Sequence, residues 1–258
     1  MKSFVRSLVA GGSVALAAAI AAPARAQAPE SANPASAPAS ARAASEAGDV
    51  VALLDEALSQ VTLRPEQTAT LAKLGSDLDA KVAPVDQARR NLLAALGPQI
   101  AKGSVDVAAL EPQLRAFLDA SAAAAPALRD AIQKLHDTLD PAQRKELVAA
   151  LGRALDERNA AAAPSATLEQ WTRTLKLDER QQHVLGAILD AEAAGSRRMQ
   201  GRIDRVLAAF AEPSFRIDEV LPKSDPRARA EQVASEIVEI AALVTHVLTP
   251  AQRTVAAN

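Results

Sequence analysis

The chain has 258 residues, 29 Lys+Arg against 31 Asp+Glu, no cysteine, and a hydrophobic fraction of 49% of which very little is aromatic. Without thiols there is no disulfide scaffold, thiolate metal site or Cys nucleophile, and without aromatics or a basic balance there is no base-stacking platform for nucleic acid. Abundant Ala and Leu, with strand-forming aromatics scarce, predict an all-α fold.

Lys2 and Arg6 open the chain, an apolar run follows from Leu8 to Ala22, and Ala24-Arg25-Ala26 has the A-x-A cleavage pattern. Residues 1–26 therefore read as a secretory signal peptide cleaved after Ala26, too short and wrongly flanked for a spanning helix. Removing Lys2, Arg6 and Arg25 leaves 26 basic against 31 acidic residues. No later stretch is apolar and long enough to span a bilayer, so the mature chain is expected in the periplasm without stable membrane insertion. Residues 27–47 are Ala, Ser and Pro with hardly a charge, which predicts a disordered tether.

The remainder divides into a first helical module at 48–158, a short linker at 159–166 (NAAAAPSA) and a second module at 167–258. One pentapeptide pattern, L-x-x-x-Q, opens and closes each half. It is Leu63-Arg64-Pro65-Glu66-Gln67 and Leu139-Asp140-Pro141-Ala142-Gln143 in the first. In the second it is Leu177-Asp178-Glu179-Arg180-Gln181 and Leu248-Thr249-Pro250-Ala251-Gln252. Gln67 and Gln181 are 114 residues apart, and Gln143 and Gln252 are 109 apart, so the copies keep register and constitute a tandem repeat. Each pentapeptide reads as a helix start. Asp140, Asp178 or Thr249 is the N-cap, Pro fits the first helical position, and Gln at the third reaches back to the cap N–H as in a capping box. Arg64 departs from this, since its side chain cannot accept the free donors. The Leu is expected as a core anchor.

Between caps the pattern is helical. Leu71, Leu74, Leu78 and Val82 predict a helix reaching Pro84, and a second from about Val85 carries Leu92, Leu93 and Leu96 to Gly97-Pro98. A third, from about Val107 to Leu139, carries Leu114, Leu118, Ser121, Ala125, Leu128, Ile132 and Leu135 at alternating spacings of four and three, with a bend expected at Pro126. Val233, Ile237, Ile240, Val244 and Val247 repeat that rhythm. Such stripes are either a coiled-coil-like seam or ordinary bundle core.

Signal peptide, paired L-T-x-x-Q motifs, long helices ending at the second motif, and the segment Pro213-Ser214-Phe215-Arg216-Ile217-Asp218 together resemble the Spy/CpxP family of periplasmic proteins. The resemblance spans roughly residues 50–258 as two tandem copies. It implies a curved helical cradle, commonly a dimer of thin subunits, that binds unfolded or partly folded protein clients without ATP or any cofactor. It also implies relatives that sense periplasmic metals or stress. Here the two copies are expected to pair within one chain as a pseudo-dimer.

Candidate client-binding residues are Arg197, Arg198, Arg202 and Arg205, which give one helix a basic face, with Phe210 and Phe215 soon after. That face suits an acidic, apolar client, or else is simply solvated and paired with Asp190, Glu192 and Asp204. The rival reading is a metal or stress sensor using imidazoles, where His136 and His246, three and two residues before their motif Leu, are pseudo-equivalent and are the candidates for meeting across the repeat. No G-x-S-x-G, H-E-x-x-H, P-loop or dinucleotide motif is present, so no catalytic residue is expected. A non-catalytic structural or adaptor module is the third reading.

Overall fold

The computed structural model describes residues 53–54, 56–161, 164–221 and 225–257, and every regular element among them is helical. The expected signal peptide and tether lie outside the described residues. A helical turn at 56–59 precedes α1 (Pro65–Lys102), α2 (Val107–Thr138) and α3 (Pro141–Ala161). Then come α4 (Pro164–Leu175), α5 (Glu179–Ala211), the single turn α6 (Ile217–Val220), α7 (Pro226–Val247) and α8 (Pro250–Ala257). The break expected at 159–166 is narrower than that, because α3 runs to Ala161 and α4 starts at Pro164.

Sequence periodicity predicted two helices where α1 is one. Pro84 and Pro98 both lie inside it. Each removes one N–H, but the carbonyls left without a partner belong to Ala80 and Ala94, both at exposed positions where water serves. Meanwhile Leu71, Leu78, Val85, Leu92, Leu96 and Ile100 are buried along the whole length, and that packing outweighs the two missing bonds. The helix stops at Gly103, whose φ of 88° is open to glycine and whose N–H returns to the Gln99 and Ile100 carbonyls. Asp106 then caps α2 by accepting from Ala108 and Ala109 N–H.

The seam of α2 also differs in phase from its expected course. Leu128, Ile132 and Leu135 are buried as predicted, while Leu114, Leu118 and Ala125 are half-buried. The companion column is Leu110, Phe117, Ala124 and Ala131, at steps of seven, and it centres on the one aromatic of the helix. Phe117 is fully buried and is the largest side chain of that column. Ser121, the polar residue of the stripe, has a buried hydroxyl without a protein partner.

Among the described residues three hydrophobic cores result, and two of them mix residues from before and after residue 162. The first joins Leu54, Leu58, Leu71, Ile132, Leu135 and Leu147 to Ile203, Val206, Leu207, Phe210, Phe215 and Ile217. A second joins Val85, Leu92, Leu96, Leu110 and Phe117 to Ala230, Val233, Ala234, Ile237 and Val238. The last is made by Trp171, Leu175, Leu177, Leu185, Ile240, Val244, Leu248 and Ala256. Partners are exchanged accordingly. Helix α3 packs on α5, α8 packs on α1, and α2 meets α7. At Gly97 a methyl group would come within 3.2 Å of the Ala257 carbonyl, so glycine there permits the α1–α8 approach. No described helix is long and apolar enough to cross a membrane.

Candidate functional site

The four motif glutamines form two reciprocal clamps. Gln67 Nε2 donates to Gln143 Oε1 at 2.8 Å, and Gln143 Nε2 donates to Gln67 Oε1 at 3.0 Å. Gln181 and Gln252 do the same at 2.8 and 2.9 Å. Each Oε1 also accepts its own cap's N–H: Arg64 for Gln67, Asp140 for Gln143, Asp178 for Gln181 and Thr249 for Gln252. The second amide hydrogen goes to a carbonyl near the opposite motif. Gln67 takes Thr138, Gln143 takes Thr62, Gln181 takes Val247, and Gln252 takes Leu175. Two donors and two acceptor sites are thus filled on every glutamine, which is the full capacity of the side chain. Gln252 Nε2 also lies 3.4 Å from the carbonyl of Lys176, a non-glycine residue at φ 53°.

The caps around these clamps follow the expected chemistry, the departure at Arg64 included. Asp140 accepts from Ala142 and Gln143 N–H at 3.1 and 3.0 Å, and Asp178 from Gln181 N–H at 2.8 Å. Thr249 Oγ1 is 3.4 Å from Gln252 N, a weak cap. Arg64 caps nothing with its side chain. Its guanidinium instead reaches Asp140 Oδ2 at 3.4 Å and Glu66 at 3.1 Å, so the odd residue of one motif is the ion partner of the cap across the clamp. Leu139, Leu177 and Leu248 are buried as anchors, and Leu63 packs partly buried against the first core.

Several candidate residues fall elsewhere than expected. Phe210 and Phe215 are 2% and 4% exposed and belong to the first core, so they are not an accessible client surface. They form a ring cluster with His136, at centroid separations of 5.4 Å (His136–Phe210), 5.0 Å (His136–Phe215) and 5.4 Å (Phe210–Phe215). Burial follows from their bulk, as the few large aromatics of an Ala-rich chain supply the most apolar area per residue. Of the basic face, Arg197, Arg202 and Arg205 are exposed on α5, while the Arg198 side chain lies outside what is described.

His136 and His246 are not brought together. His136 is buried, with Nε2 at 2.6 Å from Arg144 Nη1 and Nδ1 at 3.1 Å from Asp137 Oδ1. With the proton on Nδ1, Nε2 accepts from Arg144; in the other tautomer Nε2 donates to the Glu212 carbonyl, 2.9 Å away. The residue three before Leu248 is Thr245, buried like His136, whereas His246 is exposed. The pseudo-equivalence drawn between the two histidines was one position out, and one helical position turns a side chain through about 100°. No group of three His, Cys, Asp or Glu gathers among the described residues.

Sequence reading missed a surface groove among the described residues. Between α5 and α7 lies an open groove of about 510 Å³ lined by His183, Val184, Ala187, Ile188, Ala191, Glu236, Glu239, Ile240 and Leu243. Leu243 is 52% exposed and Val184 37%. The signal was present in Leu243, which falls outside the 4-3 stripe of α7. Family models, curated proteins and solved structures compared with the chain give no match.

Proposed function

We propose that this is a periplasmic, ATP-independent chaperone-like protein of the Spy/CpxP kind, built as two tandem helical modules that pair within one chain into a cradle. The observation that carries the reading is an exposed apolar strip, Val184 and Leu243, on long helices whose ends are fastened by glutamine clamps. A rigid scaffold with accessible apolar surface can hold a non-native client through burial of area, which is non-directional and needs no nucleotide. The exchange of α3 and α8 between halves supports the tandem as the covalent equivalent of a homodimer. The signal-peptide pattern at residues 1–26 supports the compartment.

The test is suppression of aggregation of a reduced or thermally unfolded client by residues 27–258, without ATP and with or without chelator. Substoichiometric to stoichiometric protein is expected to suppress light scattering equally in both conditions. Absence of suppression, or suppression that disappears with chelator in favour of metal-dependent assembly, would overturn the reading and favour the sensor.

A further inference from the structure

The two copies of the repeat act as an internal control on the groove. In register, Val184, Ala187 and Ala191 of α5 stand where α1 has Thr70, Lys73 and Asp77, and Leu243 of α7 stands where α2 has Lys134. The first copy covers that face with charge, and Lys73 and Asp77 are ion-paired to each other at 3.4 Å. In the second copy the same face is small and apolar along its floor, and a leucine is left half in water. Its walls are also one-sided in charge. Glu236 and Glu239 line it with His183, and no Lys or Arg does. Asp190 adds an exposed carboxylate between Ala187 and Ala191 on α5.

Resting on the chaperone reading above, we propose that the groove between α5 and α7 binds an apolar segment of a non-native protein that is flanked by lysine or arginine. Apolar side chains of the segment cover Val184, Ile188 and Leu243, and its cationic flanks meet Glu236 and Glu239. Charge decides among occupants. A two-fold pairing of this groove with a second copy sets the same carboxylates against themselves, and an anionic lipid surface or an acid-flanked segment meets like charge. The acidic balance of the chain after residue 26 adds to that repulsion. This client chemistry is opposite to the one that the Arg197, Arg202 and Arg205 face suggested.

Fluorescence anisotropy on residues 27–258 tests it, using labelled peptides with one Leu/Ala core and either Lys or Glu flanks. The Lys-flanked peptide is expected to bind roughly tenfold tighter or more, with the difference shrinking at about 1 M salt. Glu236→Lys with Glu239→Lys should reverse the order. Val184→Ser and Leu243→Ser, each made separately at an exposed site, should weaken both peptides severalfold while leaving the unfolding midpoint unchanged. Equal binding of the two peptides, or indifference to all four substitutions, overturns the proposal. So does a dimer seen by light scattering that Leu243→Ser dissociates, or binding to phosphatidylglycerol vesicles as tight as to the Lys-flanked peptide. Aggregation suppression that survives the groove variants unchanged would remove the groove assignment and leave the chaperone reading standing. Peptide binding as expected without any suppression would do the reverse.

Discussion

The hairpins α1–α2 and α5–α7 carry the same end motifs but close differently. α1 and α2 lie against each other over much of their length, whereas α5 and α7 meet at their motif ends and then turn to other partners, α3 and α2. Buried side chains follow one another along α1 from Leu71 to Ile100, whereas the buried residues that α5 and α7 share near their motif ends are Leu185, Ile240 and Val244. A common clamp therefore fixes where a hairpin begins, and the bulk along the stripe decides whether it stays shut. The opening gives α7 to the second core, Phe210 to the first, and the groove to solvent.

The comparison is broken most severely by separating its two sides. Residues 48–158 alone lose Ile203, Val206, Leu207, Phe210, Phe215 and Ile217 from one core and Ala230 to Val238 from another. At about 1.5–3 kcal/mol for each large side chain, that exceeds the usual net stability of a domain. The fragment should therefore self-associate or bind an apolar dye, while light scattering on residues 27–258 should give a monomer. A well-behaved monomeric fragment would mean the halves are independent.

Phe210→Ala comes next, at about 3–5 kcal/mol in urea unfolding, because it opens a cavity in the core that joins the second hairpin to the first half. A neutral result would return Phe210 to the surface. Leu128→Ala and Ile237→Ala should each cost about 2–5 kcal/mol, since both side chains are buried, and a neutral outcome at both would refute the inward stripes.

The clamps sharpen the comparison on a smaller scale. Gln67→Leu leaves Gln143 buried with two of its partners gone and should cost about 1–3 kcal/mol. Gln181→Leu should cost less, because its partner Gln252 is only half-buried and water replaces the lost bonds. Replacing Gln67 and Gln143 together by Leu should recover part of the loss, as the orphaned group goes too. A cycle without coupling would show that each glutamine serves its own cap alone.

Smallest are the caps. Asp140→Ala should lower stability by about 1 kcal/mol, and Thr249→Ala by less, given its long bond. Arg64→Asp, which cap chemistry alone would favour, instead sets a carboxylate against Asp140. It should be destabilising by up to about 1 kcal/mol, at the scale of an exposed ion pair. Stabilisation by this change, measured from the same urea midpoints, would mean that the Arg64–Asp140 contact is without consequence.

The all-helical character and the helix starts at the four pentapeptides were legible in the sequence because each rests on interactions within four residues. The cap at Asp178, the Gln181 side chain reaching back three positions, and the anchoring of Leu248 follow from local geometry that any amphipathic helix obeys. What only the tertiary structure decided are the matters settled between distant residues. Gln67 finds Gln143, Arg64 finds Asp140, and Pro84 stays inside α1 because a neighbouring helix supplies more than the missing bond removes. In the first half of α2 the buried residues are Leu110 and Phe117 rather than Leu114 and Leu118, and the aromatics on offer near Arg205 were taken by the core. Periodicity tells which residues share a face. Which face meets which partner depends on bulk and charge brought together from far apart in the chain, and on those terms one copy of the repeat closed and the other left a groove.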